Sequence, residues 1–259
     1  MPAARVIVTR PVREAARWIE LLRGAGVDAQ ALPLIEIAPV IDTAALEDAR
    51  RAVSASGYAA LMFVSAAAAT HFFEGSGPLA SGLQARCWAT GPGTVRALAQ
   101  AGVPPTCIDA PGDDAAQFDS EALWARVSAQ IGAGVRVLIV RGGDAAGQAT
   151  GRSWLAREVA AAGGNCDTVV AYRRLAAPLD IPGRALAEQG ARGEALWLFT
   201  SSEAIGHLRD ALPGRDWAAA RAIATHPRIA EAARGAGFGT VRTSSPESAA
   251  LIASIESFA

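Results

Sequence analysis

The segment "FVSAAAATHFF", residues 63–73, recurs later in the chain as "FTSSEAIGHLR", residues 199–209, with Ser65 aligned to Ser201. In each copy a short apolar run stops at a serine, and residues with a helical pattern follow it. Such a segment is typical of a strand that leads into a helix. Its recurrence indicates that the chain contains a duplicated α/β unit.

Two further pairs of segments extend the repeat in the same order. "ATGPGTVRALAQAGV" (89–103) corresponds to "ATHPRIAEAARGAGF" (224–238), and "VIVTRP" (6–11) corresponds more weakly to "VLIVRG" (137–142). The chain is therefore ordered as a β-α-β unit followed by a three-strand unit, twice over. This order predicts two similar lobes of about five strands each.

Short apolar runs along the chain predict strands, and Ala-rich segments of helical period separate most of them. The runs are 5–10, 27–37, 60–65, 86–91, 106–110, 135–142, 166–174, 195–201, 221–225 and 240–244. Strands that alternate with helices are typical of parallel sheets. The sequence therefore predicts an α/β fold with parallel sheets.

The order of the units leaves two ways of pairing them. Units that are neighbours in the chain could form each lobe, or the chain could cross between lobes twice and build one lobe from its two ends. Two extended segments that each reach a proline, 34–40 and 171–178, are candidates for such crossings. The residues alone do not choose between the two pairings.

Composition excludes several classes of protein. With 259 residues, 51% hydrophobic and 19% charged, the chain has the balance of a folded globular protein. A net charge of −1 argues against a partner that is nucleic acid or a membrane surface. We expect a cytoplasmic protein, because residues 1–11 lack the apolar region of a signal peptide. The 3 widely spaced cysteines fit neither a disulfide framework nor a metal site.

All 24 basic residues are arginine. A chain without lysine cannot form a P-loop lysine contact or a Schiff base with pyridoxal phosphate. Residues 142–149 have the glycine spacing of a P-loop, but Gln148 and Ala149 stand where lysine and serine or threonine belong. "GPGTVR" (91–96) is a partial dinucleotide fingerprint with Arg96 in place of the third glycine, and we do not interpret it as a dinucleotide site.

Small, hydroxyl-bearing or arginine residues follow several of the predicted strands. Ligands of open α/β sheets bind at the carboxyl ends of strands, where helix N-termini offer free amides. These turns therefore predict a surface that binds anions at the carboxyl ends of the strands. Its candidate residues are Thr9, Arg10, Ser65, Gly91, Thr94, Arg141, Gly142, Ser201, Ser202 and Arg228. Helix capping is the alternative role for the hydroxyl residues.

Tyr172 is one of 2 tyrosines and stands beside Arg173 and Arg174 at the end of a predicted strand. A tyrosine at a cleft can donate a proton to a leaving oxygen, but it could equally be an aromatic that lies against the sheet. His71 and His207 occupy equivalent positions in the repeat, and no carboxylate partner recurs with them. We interpret both as structural. No cluster of acidic residues and histidines in the sequence has metal-ligand spacing.

Taken in order, these segments resemble the uroporphyrinogen-III synthase family. The resemblance covers nearly the whole chain and rests on "VTRP", "LLRGAGVDAQALPLIEI", "MFVSAAAA", "ATGPGTVRALAQAGV", "VLIVRG", "VAYRR", "LFTSSEAI" and "RIAEAARGAGF". It implies two flavodoxin-like lobes joined by a two-stranded linker, with the crossed pairing of units. The implied lobes are 1–35 plus 178–259, and 40–170, with linker strands 36–39 and 171–177.

The resemblance also implies a substrate and a reaction. The family's substrate is hydroxymethylbilane, a linear tetrapyrrole with many carboxylates, and the family needs no metal or organic cofactor. The terminal hydroxyl departs, a spiro intermediate forms, and the macrocycle closes with the last pyrrole ring inverted. Free bilane closes to the uninverted isomer I, so the protein must act chiefly through orientation and electrostatics. A monomer is the family's default.

The resemblance assigns Tyr172 the role of assisting departure of the hydroxyl. The family's GPxT turn falls on Gly91 and Thr94, whereas His226 and Ile229 replace the glycine and the threonine in the second copy. In that second turn, the backbone amides and Arg228 would then make the contacts to substrate.

The residues alone leave two other functions open. One is a two-lobed binding protein for an anionic small molecule, and the other is a glycosyltransferase-like enzyme that uses a nucleotide sugar. The missing export signal counts against the first, because such binding proteins usually act outside the cytosol. The second lacks an obvious acidic partner for a ribose.

Overall fold

A computed structural model describes residues 5–112, 118–151 and 153–258. The chain divides into two compact units, and the N-terminal segment belongs to the same unit as the C-terminal third. Unit 1 comprises Met1–Glu36 and Leu175–Ala259, and unit 2 comprises Ile37–Arg174.

Strands and helices alternate along most of the chain. The strands are β1 (Arg5–Val8), β2 (Ala29–Ala31), β3 (Ile35–Pro39), β4 (Ala60–Phe63), β5 (Arg86–Ala89), β6 (Ile108–Asp109), β7 (Arg136–Gly143), β8 (Asn165–Ala176), β9 (Ala195–Phe199), β10 (Arg221–Ala224) and β11 (Thr240–Thr243). The helices are α1 (Val12–Gly24), α2 (Ala44–Ser54), α3 (Ala66–Phe73), α4 (Pro92–Gln100), α5 (Ser120–Val127), α6 (Trp154–Ala161), α7 (Ile181–Ala191), α8 (Ser202–Ala211), α9 (Pro227–Gly235) and α10 (Ser248–Glu256).

Unit 1 contains a sheet with the strand order β2-β1-β9-β10-β11, and each neighbouring pair is parallel. Side chains alternate between its two faces. On one face Val6, Val8 and Leu198 pack against α1 and α10. On the other face the ring of Trp197 lies against Gly190 of α7. This sheet is covered on both faces, as a parallel sheet requires.

Unit 2 contains a sheet with the strand order β3-β8-β7-β4-β5-β6. Without β3, the order is that of unit 1, except that the β-α-β part follows the three-strand part in the chain instead of preceding it. Both sheets then have the flavodoxin-like order 2-1-3-4-5. The expected fold class, α/β with two flavodoxin-like lobes and parallel sheets, is confirmed.

The core of unit 2 follows from the same alternation of side chains along its strands. Leu61 and Phe63 of β4 point to one face and pack with α3 and α4, whereas Ala60 and Met62 point to the other and pack with α5 and α6. Burying a large aliphatic side chain of this kind contributes about 1.5–3 kcal/mol. The apolar run at 60–63 therefore stabilises both layers of helices at once.

The predicted strand at 27–37 is divided in two, so the described residues form eleven strands and not ten. β2 joins the sheet of unit 1 and β3 joins the sheet of unit 2. Pro33 lies between them and has no N–H group to donate to a ladder. Leu32 still donates its N–H to the carbonyl of Val8, at 2.9 Å, and beyond Pro33 the N–H of Leu34 donates to the Thr9 carbonyl at 3.4 Å. A single strand across this segment was a wrong expectation.

No helix in the described part of the chain has the length and apolar character needed to cross a membrane.

Candidate active site

Four strands of unit 2 end side by side at one edge of the sheet. In sheet order these are β8, β7, β4 and β5. Ser65 and Gly91 come shortly after β4 and β5, Arg141 lies near the end of β7, and Tyr172 lies on β8 opposite Gly142. After β4 the chain continues to β5, on one side in the sheet order, and after β7 it continues to β8, on the other side. The direction of winding therefore reverses between β4 and β7. In open α/β sheets such a reversal creates the crevice in which ligands bind.

The Tyr172 side chain spans this reversal. Its ring is only 2% exposed, and its hydroxyl lies 3.1 Å from Ser65 Oγ. Ser65 is the N-cap of α3, and the same Oγ accepts the N–H of Ala68 at 3.1 Å. Because β7 lies between β8 and β4, the phenol must pass over β7 to reach Ser65. The cap of α3 thus holds the hydroxyl of the tyrosine in place.

Gly142 of β7 provides the space for that passage. A side chain at this position would place its Cβ 2.6 Å from Tyr172 Cζ and 2.9 Å from the Tyr172 hydroxyl oxygen. The β7–β8 register shifts between Arg141 and Gly142, and the shift sets Gly142 opposite Tyr172. Contact at 2.6 Å is far inside van der Waals distance, so glycine is the residue that lets the phenol lie here.

Two further side chains surround the phenol. The ring of His71 on α3 stacks on Tyr172, with centroids 5.8 Å apart and planes inclined by 23°. His71 Nδ1 also lies 3.4 Å from Glu74 Oε2. Burial lowers the pKa of the Arg141 guanidinium, and the nearby Tyr172 hydroxyl opposes that shift. Sequence reasoning placed His71 among the structural residues, and the structure places it on the ring of the candidate tyrosine.

The loop after β7 closes on itself. The Asp144 carboxylate accepts the N–H groups of Ala146 and Gln148, each at 2.9 Å, and the N–H of Gly147 donates to the Asp144 carbonyl. Gly147 has φ +81°, a conformation that suits glycine. These hydrogen bonds stabilise the loop from within. Arg141 and Gly142, at the start of the loop, lie beside Tyr172.

The turn at Gly91 connects β5 to α4, and Gly91 is the N-cap of that helix. The N–H groups of Thr94 and Val95 both donate to the Gly91 carbonyl, and Thr94 is 4% exposed. The Cβ of a side chain at Gly91 would come within 3.1 Å of Phe118 Cβ. The glycine therefore permits close packing of the residue that follows the undescribed segment 113–117.

Unit 1 presents a different arrangement at its own reversal, between β1 and β9. Thr9 is 1% exposed, and its Oγ1 donates to the Leu198 carbonyl at 2.8 Å. Arg10 donates to Glu14 Oε2 from Nε at 2.7 Å, and its guanidinium lies 5.0 Å from the Trp18 ring centroid. Both candidate side chains thus have partners within their own unit.

The other unit 1 candidates lie at the starts of helices. Ser201 is the N-cap of α8, and Ser202 is exposed in its first turn. His226 is the N-cap of α9, and its Nδ1 accepts the N–H of Arg228 at 3.1 Å. The Arg228 side chain is exposed, and Ile229 is 9% exposed. The structure therefore groups Ser65, Arg141 and Gly142 around Tyr172, and it places the unit 1 candidates along a separate edge. Whether any of these residues contacts substrate stays a prediction.

The 3 cysteines are free and are buried or partly buried. Burial raises the pKa of Cys87 to about 12 and that of Cys166 to about 11, so both thiols stay protonated and unreactive near neutral pH. Within residues 5–112, 118–151 and 153–258, no three His, Cys, Asp or Glu side chains are grouped in a way that could hold a metal ion.

Comparison with solved structures shows the same fold. A triple mutant of uroporphyrinogen III synthase from Thermus thermophilus covers 98% of this chain, and 98% of that protein is covered, with a TM-score of 0.55 and 20% identity. A uroporphyrinogen-III synthetase from Helicobacter pylori covers 99% of this chain and is itself covered completely, at 100%, with a TM-score of 0.62 and 13% identity. At such low identities these neighbours establish the architecture only. A search of curated proteins gave no match.

The sequence itself carries the assignment. A family model described as "Uroporphyrinogen-III synthase HemD" matches residues 16–253, which is most of both units. Neither the binding-protein alternative nor the glycosyltransferase-like alternative is favoured by this match. The chain therefore belongs to the uroporphyrinogen-III synthase family, whose members are cyclising lyases of tetrapyrrole biosynthesis.

Proposed function

We propose that Tyr172 assists the reaction of this enzyme, the closure of hydroxymethylbilane to uroporphyrinogen III. The observation that supports this role most strongly is the position of its hydroxyl, 3.1 Å from Ser65 Oγ at the winding reversal of unit 2. A hydroxyl held by a hydrogen bond is oriented before substrate arrives. Such orientation is the main contribution a protein can make to this reaction.

The first step needs a proton on the departing oxygen. The terminal hydroxyl of the bilane leaves as water when Tyr172 supplies that proton, either directly or through the hydroxyl of Ser65. Ser65 is partly exposed at the sheet edge, whereas the tyrosine ring is buried, so the serine hydroxyl is the outer member of the pair. The proton that the last pyrrole ring loses on closure returns the tyrosine to its neutral form. The pair therefore acts as a general acid and then as a general base.

Arg141 lies next to this donor. A guanidinium close to a phenol stabilises negative charge that develops on the oxygen as its proton leaves. The Arg141 side chain is half-buried, and its interaction with the Tyr172 hydroxyl affects the pKa of the guanidinium. Charge interactions are stronger where water is partly excluded. We propose that Arg141 acts on the departing oxygen through Tyr172.

The substrate carboxylates are proposed to bind along the strand ends of both units. In unit 1 the exposed Ser202 and Arg228 side chains suit direct contact, and Ser201 is the N-cap of α8. Thr9 is buried and Arg10 already pairs with Glu14, so these two residues would contribute through their backbone groups. In unit 2 the proposed contacts are Ser65, Gly91, Thr94, Arg141 and Gly142.

Three further proposals concern the domain bounds, the oligomeric state and the location of the protein. We propose lobes at 1–35 plus 178–259 and at 40–170, with linker strands 36–39 and 171–177; the division of the chain after Glu36 and after Arg174 supports these bounds. Residues 1–4, 113–117, 152 and 259 of these ranges lie outside the described part of the chain. We also propose a monomer located in the cytoplasm.

The reaction is tested by a coupled assay. Hydroxymethylbilane is generated in situ, the protein is added, and uroporphyrins I and III are separated by chromatography after oxidation. We expect mostly isomer III. Isomer I alone, obtained with protein that circular dichroism shows to be folded, would contradict the proposed reaction.

The role of Tyr172 is tested by Tyr172→Phe in the same assay. Loss of a general acid lowers kcat by about 100-fold or more, whereas the loss of one hydrogen bond costs only about 1 kcal/mol of stability. The matched control is Tyr58→Phe, which removes the other tyrosine hydroxyl, bonded to Asp167 at 2.9 Å near the start of the strands. We expect the control to keep wild-type kcat. A Tyr172→Phe variant with wild-type kcat would remove Tyr172 from the mechanism.

A further inference from the structure

His71 occupies the position in unit 2 that His207 occupies in unit 1. Both lie on the helix that follows the first strand of the three-strand part, six residues after the N-cap serine of that helix. His207 Nδ1 lies 2.9 Å from the carbonyl oxygen of Leu34. His71 contacts Tyr172 through its ring.

The contacted residues lie near the same end of the two sheets. Leu34 comes shortly after β2, the second strand of the β-α-β part of unit 1, and its N–H bonds to the Thr9 carbonyl at the end of β1. Tyr172 is paired with Gly142 at the end of β7, in the second strand of the β-α-β part of unit 2. Each histidine therefore contacts the same strand end of its own unit. The fold places the imidazole there, and only in unit 2 does it meet a side chain with a titratable hydroxyl.

Tyr172 is restrained at two points by α3. Ser65, the N-cap of the helix, lies 3.1 Å from its hydroxyl, and His71, in the last turn of the helix, stacks on its ring. Gly142 leaves room for the ring and has no side chain to restrain it. The histidine thus supplies the flat contact that keeps the phenol from tilting away from Ser65.

Resting on the proposed role of Tyr172, we propose that His71 is a positioning residue for the reaction. Its ring holds the Tyr172 hydroxyl at Ser65 and makes no contact with substrate. A flat ring is the property that matters, so a residue with a flat apolar ring should replace it, whereas an aliphatic residue of similar size should not.

The test compares His71→Phe with His71→Leu in the coupled isomer assay. Phenylalanine retains a stacking face, and we expect kcat within about threefold of wild type; leucine lets the phenol tilt, and we expect kcat to fall about tenfold with KM within about twofold. The control is Phe73→Leu on the same helix, where the ring packs on Phe63 and Phe72. We expect it to lower the melting temperature and to leave kcat unchanged.

A second measurement separates positioning from general damage to the fold. In a Tyr172→Phe background there is no hydroxyl to position, so we expect His71→Leu to cause no further loss of kcat. If Tyr172→Phe lowers kcat and His71→Leu lowers it equally in both backgrounds, the positioning role is overturned and the role of Tyr172 stands. Equal kcat for His71→Leu, His71→Phe and wild type overturns it as well. If Tyr172→Phe alone keeps wild-type kcat, the role of Tyr172 fails first, and the inference about His71 fails with it.

Discussion

The two units have sheets of the same strand order and differ in what fills the winding reversal. In unit 2 the reversal holds a phenol whose hydroxyl meets Ser65 across Gly142. In unit 1 the hydroxyl of Thr9 donates to the Leu198 carbonyl on the neighbouring strand. The second arrangement joins two strands through a side chain. Both copies therefore keep the scaffold, and Tyr172, the general acid proposed above, lies in unit 2.

The next connection shows a related difference. Gly91 begins α4 without a side chain, whereas His226 begins α9 and its imidazole accepts the N–H of Arg228. A capped amide is already satisfied, so it offers less to a carboxylate than an open one. At this pair of turns, α9 of unit 1 has a side-chain cap and α4 of unit 2 has none.

The largest expected effect comes from filling the space that Gly142 leaves. Gly142→Ala places a methyl group 2.6 Å from Tyr172 Cζ. We expect kcat to fall about 100-fold because the phenol leaves Ser65, and we expect a stability loss of about 1–3 kcal/mol from overpacking. The isomer assay and urea unfolding measure the two effects.

The matched control is Gly206→Ala on α8, where an added methyl group meets no atom within 4 Å. Alanine in a helix is favoured over glycine by about 0.5–1 kcal/mol, so this variant should be slightly more stable and fully active. If Gly142→Ala kept wild-type turnover, the position of the Tyr172 phenol would not matter for the reaction, and the contrast drawn between the two units would have no functional meaning.

An intermediate effect is expected at the cap of α9. His226→Ala removes the acceptor for the Arg228 N–H and should destabilise unit 1 by about 1 kcal/mol, whereas His226→Asp restores a cap and should recover that loss. Thermal unfolding followed by circular dichroism measures both. If the alanine variant matched wild type in stability, the imidazole would not be acting as a cap, and the contrast with Gly91 would lose its basis.

The smallest effect is expected at the opposite edge, where each unit has an arginine–aspartate pair. Arg136 donates to Asp167 Oδ2 at 2.6 Å, and Arg5 donates to Asp28 at 2.9 Å. The hydrogen bond from Arg136 holds the pKa of Asp167 below its ordinary value. A carboxylate with a lowered pKa stabilises the fold above the unfolded-state pKa of about 4, and this contribution is lost as the pH falls through the folded-state pKa.

We therefore expect Asp167→Asn to cost less than about 1 kcal/mol at neutral pH, because both partners are half-exposed. The difference from wild type should shrink as the pH is lowered through about 4. Urea unfolding at several pH values measures it, and Asp28→Asn is the counterpart in unit 1. A difference that grew on acidification would contradict the stated direction of the pKa shift.

The fold class could be predicted because it depends on local periodicity and on a repeat that is visible in the letters. Residues 63–73 and 199–209 show the same switch from strand period to helix period, and both fold as that pattern predicts. The division of 27–37 was harder to predict. Apolar residues continue on both sides of Pro33, so Pro33 is the one local sign of the break, and the two strands join different sheets.

The candidate site could be predicted only in part, because its contacts join distant residues. Ser65 and Tyr172 are 107 residues apart, and they meet because β7 lies between their strands and carries Gly142 at the crossing point. Sequence reasoning selected all three residues but assigned the glycine to an anion-binding turn. His71 was interpreted as structural because no carboxylate recurred with it, and the ring of Tyr172 as its partner is not visible in any local pattern.

The discontinuity of unit 1 has a consequence for synthesis of the chain on the ribosome. Unit 2 is continuous from Ile37 to Arg174, so all its strands have been translated before β9 begins. β1 must wait for β9, because Arg5 pairs with Ala195. At bacterial and eukaryotic elongation rates this wait lasts roughly 10 to 40 s. During that interval one edge of β1 has no partner, and such an edge invites aggregation until the C-terminal third is made.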